Sequence, residues 1–456
     1  MKHFFNPDGI MVIGASSNPE KIGYVVLESL KNSYGGRICP INPKGGEILG
    51  LKVYERIEDA PECEMAVIVL PAEKVPDAVE RFGRHGGKAV VVISGGFKEL
   101  GGKGAEYEGL MVRKAKEQGV RIIGPNCIGV LDTYSGVDTF FQPKYAMLRP
   151  ERGSVSIVTQ SGAVGIIALE TLAKAGVGID KFISYGNKAD VNEIDALRYL
   201  MNEESTKVVG MYIEGLENGR EFLDVLKEVA KKKPVVVIKA GMTAHGARAA
   251  KSHTGSLASD GRVFTGALRQ HGAMVAEDLE NFLDLLNFFS LRKCPAGGRA
   301  IMVTNGAGPC VLTADWICRS PVVRLGHLSY ETRKRIEERL PDFVNVDNPV
   351  DLTGSALPEW YEMALDEMEK DENIDVVIAA LTLQDEGLSG SWRNLLDILP
   401  GREKPLLVLA SGGPFTEEVS FSIQKAGVPV IPFPRRVVAV IEKSVEYRRW
   451  LEKQSI

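Results

Sequence analysis

Three times along the chain, a short apolar run meets a turn of small residues and an amphipathic stretch follows. The turns begin at Gly14, Ser161 and Asn305, so they recur at intervals of about 145 residues, an ordinary size for one α/β domain. Between the turns, apolar runs alternate with helical patterns, which is typical of βαβ units and parallel sheets. The sequence therefore predicts an α/β protein with three consecutive parallel-sheet domains, over residues 1–145, 150–291 and 298–456.

The predicted strands share a core of β-branched and other apolar residues, bounded by glycine, proline or polar residues. In the first domain they cover residues 10–15, 36–42, 65–70, 89–94 and 121–123. In the second they cover residues 154–159, 181–184, 208–213, 235–239 and 274–276. In the third they cover residues 300–304, 375–382, 405–410 and 428–432.

Composition limits the class of partner. The net charge of −5 over 456 residues argues against nucleic acid or an anionic membrane as the main partner. The six cysteines contain no Cys-x-x-Cys pair, which favours a reduced, cytoplasmic compartment over a disulfide scaffold or a metal site. We expect no signal peptide, and no apolar run reaches about 18 residues. We expect a soluble cytoplasmic protein.

Small and polar residues follow the strands of the first domain. Ligands of parallel sheets bind beyond the carboxyl ends of the strands, so these residues describe a nucleotide-sized cleft. Lys44 suits a phosphate and Ser94 suits a polar contact, although the glycines and prolines beside them could simply end the strands. The dinucleotide fingerprint Gly-x-Gly-x-x-Gly is missing after Ile13, which argues against a nicotinamide-dependent dehydrogenase.

A long loop of small residues follows the strand at 235–239 and carries His253. A loop of about 20 residues inside a compact domain is usually functional. A nucleophilic imidazole on a small-residue tether suits a group-carrying histidine, and an exposed surface histidine is the alternative. Glu214 ends the strand at 208–213, where its carboxylate could orient His253 or cap the next helix.

Three other residues are given structural interpretations. Cys127 could be an acyl-carrying nucleophile, but no histidine is near it in sequence, which favours a buried structural cysteine. Asp190 with Glu193 has the spacing of a capping box.

The chain contains neither a Gly-x-x-x-x-Gly-Lys-[Ser/Thr] phosphate loop nor a Gly-x-Ser-x-Gly elbow, and no motif supplies an ATP site.

Seven short motifs occur in a fixed order, and as a set they are far more specific than any one alone. They are Gly14-Ala-Ser-Ser, Gly124-Pro-Asn-Cys, Gln160-Ser-Gly-Ala, Tyr212-Ile-Glu-Gly, Ser252-His-Thr-Gly-Ser, Asn305-Gly-Ala-Gly and Asn348-Pro-Val-Asp-Leu-Thr-Gly. The set resembles the α subunits of ADP-forming acyl-CoA (acetyl-CoA) synthetases, relatives of succinyl-CoA synthetase, over essentially the whole chain.

The resemblance implies a Rossmann-like CoA-binding domain followed by two flavodoxin-like ligase domains. It implies that His253 is the phosphorylated residue and Glu214 its stabiliser. Two helix N-termini would cradle phosphate, through Ser161, Gly162 and Ala163 and through Asn305, Gly306, Ala307 and Gly308. The CoA site would include Gly14, Ser16, Ser17, Lys44, Pro71, Ser94 and Asn126.

The resemblance also implies a partner. The ATP-grasp domains, which in the family bind ADP or ATP with Mg²⁺, are missing from this chain, so a separate β subunit would supply them in an α₂β₂ heterotetramer. The implied reaction interconverts acyl-CoA, ADP and phosphate with acid, CoA and ATP through acyl phosphate and phosphohistidine. The sequence leaves the acyl group open. A non-catalytic CoA-binding regulatory protein of the same fold is the main alternative.

Overall fold

The computed structural model describes residues 1–243, 245–246, 248 and 261–454. These residues form two units, each described by itself: residues 1–174 with 178–276, and residues 175–177 with 277–456. Within the described ranges, no helix is both long and apolar enough to cross a bilayer.

The first sheet contains five parallel strands in the order β2-β1-β5-β6-β7. Every residue of β1, β5 and β6 is buried, as expected for parallel strands covered on both faces. The strands and the hairpin β3–β4 are β1 (Gly9–Ile13), β2 (Arg37–Ile41), β3 (Glu47–Ile48), β4 (Leu51–Lys52), β5 (Met65–Ile68), β6 (Ala89–Val92) and β7 (Arg121–Ile123). The helices are α1 (Lys2–Phe5), α2 (Ile22–Ser33), α3 (Val75–Arg84) and α4 (Gly102–Gln118).

The second sheet lies in the same unit and has the order β13-β12-β11-β9-β10-β8, with only β8 antiparallel to its neighbour. The strands are β8 (Gly129–Asp132), β9 (Arg152–Thr159), β10 (Ile179–Ser184), β11 (Val208–Ile213), β12 (Val235–Lys239) and β13 (Met274–Val275). The helices are α5 (Gly162–Lys174), α6 (Glu193–Leu200), α7 (Gly219–Lys232) and α8 (Gly261–Gln270).

The third sheet belongs to the second unit. Its order is β16-β17-β14-β18-β19-β20, with β15 also paired to β14 and β16 antiparallel to β17. The strands are β14 (Arg299–Thr304), β15 (Arg324–Leu325), β16 (Asn345–Val346), β17 (Val350–Asp351), β18 (Val376–Ala380), β19 (Leu406–Leu409) and β20 (Val430–Ile431). The helices are α9 (Leu279–Leu291), α10 (Ala307–Arg319), α11 (Tyr330–Glu337), α12 (Pro358–Lys370), α13 (Glu386–Ser389), α14 (Leu395–Ile398), α15 (Pro414–Lys425) and α16 (Pro434–Gln454).

The predicted fold class is confirmed: the protein is α/β, with three mostly parallel sheets. The three domain boundaries stay a prediction. The sequence did not predict β8, which forms an edge of the second sheet although its residues lie early in the chain. It also did not predict the two-residue strands β3, β4, β15, β16 and β17.

The capping-box prediction for Asp190 and Glu193 is wrong. The box belongs to Asn192, whose side chain accepts hydrogen bonds from the Ile194 and Asp195 amides, while the Asp195 carboxylate accepts one from Asn192 N–H. Helix α6 begins at Glu193, so Asp190 lies too early to cap it. Asp190 instead accepts hydrogen bonds from the Arg121 side chain and the Ile122 amide, each at 2.8 Å.

The prediction that Cys127 is a buried cysteine is confirmed. Its side chain is buried, and its Sγ contacts the Val92 carbonyl oxygen at 3.4 Å. Burial raises the pKa of the thiol to about 12, so the thiolate that a nucleophile requires is disfavoured.

Candidate functional site

The turn after β1 requires glycine. Gly14 has φ +95°, and a Cβ added there would lie 2.2 Å from the Val69 carbonyl oxygen. The Gly14 and Ala15 amides donate to the Ile41 carbonyl at 3.1 and 3.2 Å, which holds the turn beside the end of β2. Since β1 lies between β2 and β5, this turn stands where the strand order reverses, the usual ligand position of an open parallel sheet.

Polar side chains connect the strand ends around this turn. Asn42 donates to the Ala15 carbonyl at 2.7 Å and accepts from the Lys44 amide at 2.9 Å. Ser94 Oγ accepts from the Leu70 amide at 3.1 Å, which joins the ends of β5 and β6. The first sheet therefore presents one continuous polar edge, which we call the first cleft.

The predicted CoA residues all follow strands at this edge. Ser16 is half-buried, and its Oγ accepts from the Asn18 amide at 3.1 Å. Exposed residues complete the set: they are Ser17, Lys44, Pro71 and Asn126. The first turn of α2, which follows Ser16 and Ser17, has no side-chain cap, and the start of a helix is a usual binding position for an anion.

Asn187, which the sequence analysis did not select, reaches the first cleft from the second sheet. Its Oδ1 accepts from Asn126 Nδ2 at 3.4 Å. Its own Nδ2 donates to Glu99 at 2.6 Å and to Glu108 at 3.0 Å. Burial raises the pKa of the Glu99 carboxyl, but hydrogen bonds from Asn187, Phe97 and Gly96 outweigh this and leave that pKa below its ordinary value.

Glu214 directly follows β11 at the carboxyl edge of the second sheet and is 6% exposed. The amides of Glu214 and Gly215 both donate to Gln160 Oε1, the second at 3.1 Å. The Glu214 carbonyl accepts from Lys239 Nζ at 2.8 Å. Side chains that follow or end the flanking strands β9 and β12 thus fix the turn at Glu214, and we call residues 214–215 the Glu214 turn.

Lys188 holds the other side of the Glu214 turn. Its Nζ lies 3.1 Å from the Gly215 carbonyl oxygen and 3.3 Å from Glu193 Oε1. The side chain of Lys188 is 8% exposed and that of Glu193 is 3% exposed, so the ion pair is buried. Burial raises the pKa of Glu193 despite the neighbouring lysine.

Tyr212 lies in β11, two residues before Glu214. Burial, together with the charge and the hydrogen bond of Glu214, raises the pKa of Tyr212 to about 12. Burial has the opposite effect on a cation: it lowers the pKa of Lys239, while the charge of Glu214 opposes this change. The Glu214 carboxylate therefore lies beside the Tyr212 phenol and near the Lys239 ammonium, at the carboxyl ends of β11 and β12.

Ser161 caps the helix that follows β9. Its Oγ accepts from the Val164 amide at 3.4 Å, and its carbonyl accepts from the Gly165 amide at 3.0 Å. Gly162 and Ala163 form the first turn of α5, and a Cβ added at Gly162 would lie 2.3 Å from Ile128. Since β9 is the neighbour of β11, the structure brings this helix start and Glu214 to adjacent strand ends.

The third predicted anion segment belongs to the second unit. The Asn305 side chain donates to Thr382 O and Asp385, and it accepts from the Thr382 amide and Tyr361. This amide is fully engaged within the protein. The Gly306 amide also has a partner, since it donates to Thr304 Oγ1 at 3.0 Å. The segment can therefore offer an anion only backbone N–H groups at Ala307 and Gly308, where α10 begins with no side-chain cap.

His253 lies outside the described residues. The strand that precedes its loop, β12, ends at Lys239 beside the strand of Glu214. Sequence reasoning found Glu214 and the glycine turns but assigned no role to Gln160, Lys188, Lys239 or Asn187. The available signal was position, since each of these polar residues ends or closely follows an apolar strand.

Comparison with known proteins identifies two domain families. Residues 8–133 match the CoA binding domain, and residues 152–289 match the succinyl-CoA ligase like flavodoxin domain. These ranges contain the first cleft and the Glu214 turn, respectively.

Full-length relatives agree with the domain matches. The chain is 36% identical over 447 residues to the α subunit of acetate–CoA ligase [ADP-forming] II of Pyrococcus furiosus, covering 96% of each chain. It is 37% identical to acetate–CoA ligase [ADP-forming] I of Archaeoglobus fulgidus, over 100% of this chain and 65% of that one. A structure of the dinucleotide-forming acetyl-coenzyme A synthetase 1 of Candidatus Korarchaeum cryptofilum, in complex with phosphate and ADP, matches with a TM-score of 0.91 at 33% identity, covering 100% of this chain and 98% of that one. The chain therefore belongs to the family of ADP-forming acetate–CoA ligases, and it matches an α subunit of that family over 96% of both chains.

Proposed function

We propose that the chain is the α subunit of an ADP-forming acyl-CoA synthetase, which interconverts acyl-CoA, ADP and phosphate with acid, CoA and ATP. The observation that carries the proposal is the coincidence of a full-length match to an α subunit with an intact polar edge on each of two neighbouring sheets. A regulatory CoA-binding protein would need the first cleft alone. The Glu214 turn, with Gln160, Lys188 and Lys239 around it, favours catalysis.

The first step joins phosphate to the acyl group. CoA binds at the first cleft, where the Gly14 turn allows close approach of the backbone and Lys44 can meet a phosphate. An oxygen of hydrogen phosphate attacks the thioester carbonyl, so a C–O bond forms and the C–S bond breaks. The proton of the phosphate passes to the departing sulfur, which leaves as the CoA thiol and yields acyl phosphate.

The second step moves the phosphoryl group to the protein. A ring nitrogen of His253 attacks phosphorus, forming an N–P bond while the P–O bond to the carboxylate breaks. The other ring nitrogen keeps its proton, so the phosphorylated ring is cationic and the Glu214 carboxylate stabilises it. The start of α5 at Ser161, Gly162 and Ala163 supplies backbone N–H groups to the phosphoryl oxygens.

The third step requires a partner. We propose that an ATP-grasp β subunit binds ADP with Mg²⁺ and receives the phosphoryl group from His253, in an α₂β₂ assembly. The name "subunit alpha" of the Pyrococcus relative supports a second subunit.

All six cysteines of this chain are free thiols, which supports a reducing, cytoplasmic location.

Calorimetry on the full chain should show CoA binding, with NAD bound much more weakly or not at all. Lys44→Ala should weaken CoA binding by about 1–2 kcal/mol, roughly 5- to 30-fold in Kd, because a charge-assisted hydrogen bond to phosphate is lost. Lys88→Ala is the matched control, since Lys88 is also exposed but precedes β6, at the amino ends of the strands and away from the first cleft. Preference for NAD, or equal losses in both variants, would contradict the CoA assignment.

Glu214→Gln should slow phosphorylation of the chain by acyl phosphate by about 10²-fold or more. The amide keeps the size of the side chain. The backbone N–H groups at 214 and 215 still donate to Gln160, and Lys239 still donates to the carbonyl of residue 214, so the fold should be unchanged. What is lost is the negative charge that, in the proposed mechanism, stabilises the phosphorylated imidazole. The rate of label incorporation measures this, and Glu217→Gln, at an exposed carboxylate three residues on, should label at the wild-type rate. Equal rates for Glu214→Gln and wild type would remove Glu214 from the mechanism.

A further inference from the structure

Residues 185–192 connect β10 to α6, and we call them the connector segment. Its backbone is hydrogen-bonded to the end of the first sheet: the Asn187, Ala189 and Val191 amides donate to carbonyls of residues 125, 124 and 122 at 3.0–3.1 Å. Gly186 has φ +49°, and a Cβ there would lie 2.3 Å from the carbonyl oxygens of Pro125 and Asn126. The segment therefore belongs to the second sheet by sequence but packs directly on the first cleft.

Two adjacent side chains of the connector segment go to different sites. Asn187 reaches the first cleft, where it contacts Asn126, Glu99 and Glu108. Glu99 in turn accepts hydrogen bonds from the Gly96 and Phe97 amides in the loop after β6. The side-chain amide of Asn187 therefore contacts both the loop after β6, through Glu99, and the loop after β7, through Asn126.

Lys188 reaches the Glu214 turn instead. It holds φ +49°, a conformation that residues with a side chain rarely adopt, and its amide donates to the Tyr185 carbonyl at 2.8 Å. With Lys188 in this conformation, its side chain lies at the Glu214 turn while the side chain of Asn187 lies at the first cleft. The buried ammonium then contacts Glu193 and the Gly215 carbonyl, on the turn that carries Glu214.

We propose that Asn187 and Lys188 are positioning residues that hold the first cleft and the Glu214 turn at a fixed separation for acyl transfer. This inference rests on the proposed function, in which the thioester is delivered from the cleft and phosphate is bound at the second sheet. Acyl transfer requires the reacting atoms to approach within about 3–3.5 Å, and a misplacement of about 1 Å costs on the order of 10²-fold in rate. The rigid connector segment, with one side chain to each site, meets that requirement.

The test uses the full chain and the reverse of the first step. The sulfur of CoA attacks the carbonyl of acetyl phosphate, a C–S bond forms, the C–O bond to phosphate breaks, and the thiol proton leaves with phosphate. Acetyl-CoA formation is measured for Asn187→Ala, Lys188→Met and the double variant, beside CoA affinity and label uptake from acetyl phosphate without CoA.

Asn187→Ala should lower kcat for acetyl-CoA formation by about 10²-fold while label uptake stays within threefold of wild type. Lys188→Met should lower both acetyl-CoA formation and label uptake, with CoA affinity within threefold. The double variant should be no slower in acetyl-CoA formation than the slower single variant, because the two residues act as one unit. Lys188→Arg should recover most of the rate, since guanidinium can donate to both partners of Lys188.

Lys207→Met is the control. Lys207 is exposed and directly precedes β11, so it lies at the opposite end of that strand from the Glu214 turn. Rates within twofold of wild type in both single variants, or effects that multiply in the double variant, would overturn the inference while leaving the proposed function standing. A wild-type chain that neither binds CoA nor takes up label would overturn the proposed function, and the inference with it.

Discussion

Acyl phosphate with labelled phosphorus should phosphorylate the isolated full chain, and His253→Asn should abolish that label. In the proposed mechanism the step uses only groups of this chain: the imidazole, the Glu214 carboxylate and the helix N-terminus at Ser161. Asparagine cannot form the N–P bond at neutral pH, so the expected effect is complete loss. The label should be labile to acid and stable to base, as expected of a phosphoramidate and opposite to a phosphoserine. Calorimetry should show unchanged CoA affinity in His253→Asn, because the first cleft lies in another sheet.

His245 provides the internal control for this prediction. It is exposed and precedes His253 in the same small-residue stretch, but it lacks the Ser-x-Thr-Gly-Ser setting. His245→Asn should therefore take up label at the wild-type rate. Label retained in His253→Asn would mean that another residue carries the phosphoryl group, and the regulatory CoA-binding protein would then be the better interpretation of the chain.

The strands were predictable because buried parallel strands are continuous apolar runs between polar turns. Strands β7, β11 and β12 have the bounds that the sequence predicts, and the other predicted strands differ by a few residues at their ends. Strand β8 was missed because Gly129–Asp132 is short and its partner is β10, which lies about 50 residues further along the chain. No local pattern reports such a pairing.

The site was predictable only where a local pattern marks it. Gly14 and Glu214 follow apolar strands directly, so their places at sheet edges could be read from the sequence. The contacts that fix Glu214 could not, because Gln160, Lys188 and Lys239 lie 25 to 55 residues away from the atoms they hold. The capping box failed for a different reason: Asp190 and Asn192 both precede α6, and the sequence does not show that the helix begins at Glu193, which makes Asn192 the cap.

The chain alone should form no thioester from acid, CoA and ATP, and should gain this activity only when an ATP-grasp subunit is added. Its sequence contains no phosphate loop of the Gly-x-x-x-x-Gly-Lys-[Ser/Thr] type. The chain also matches only 65% of the Archaeoglobus relative, so that relative has a further stretch of chain which this one does not match. We expect the missing nucleotide-binding groups in the partner.

Two measurements separate the partner's contribution from that of the chain. Calorimetry on the isolated chain should show no binding of ATP with Mg²⁺, whereas the purified complex should bind it and form acyl-CoA over a panel of carboxylic acids. A complex assembled with His253→Asn should still bind ATP but form no thioester, because the phosphoryl group would have no carrier between nucleotide and acid. ATP-driven thioester formation by the isolated wild-type chain would contradict the division of labour, since it would require a complete nucleotide site within these 456 residues.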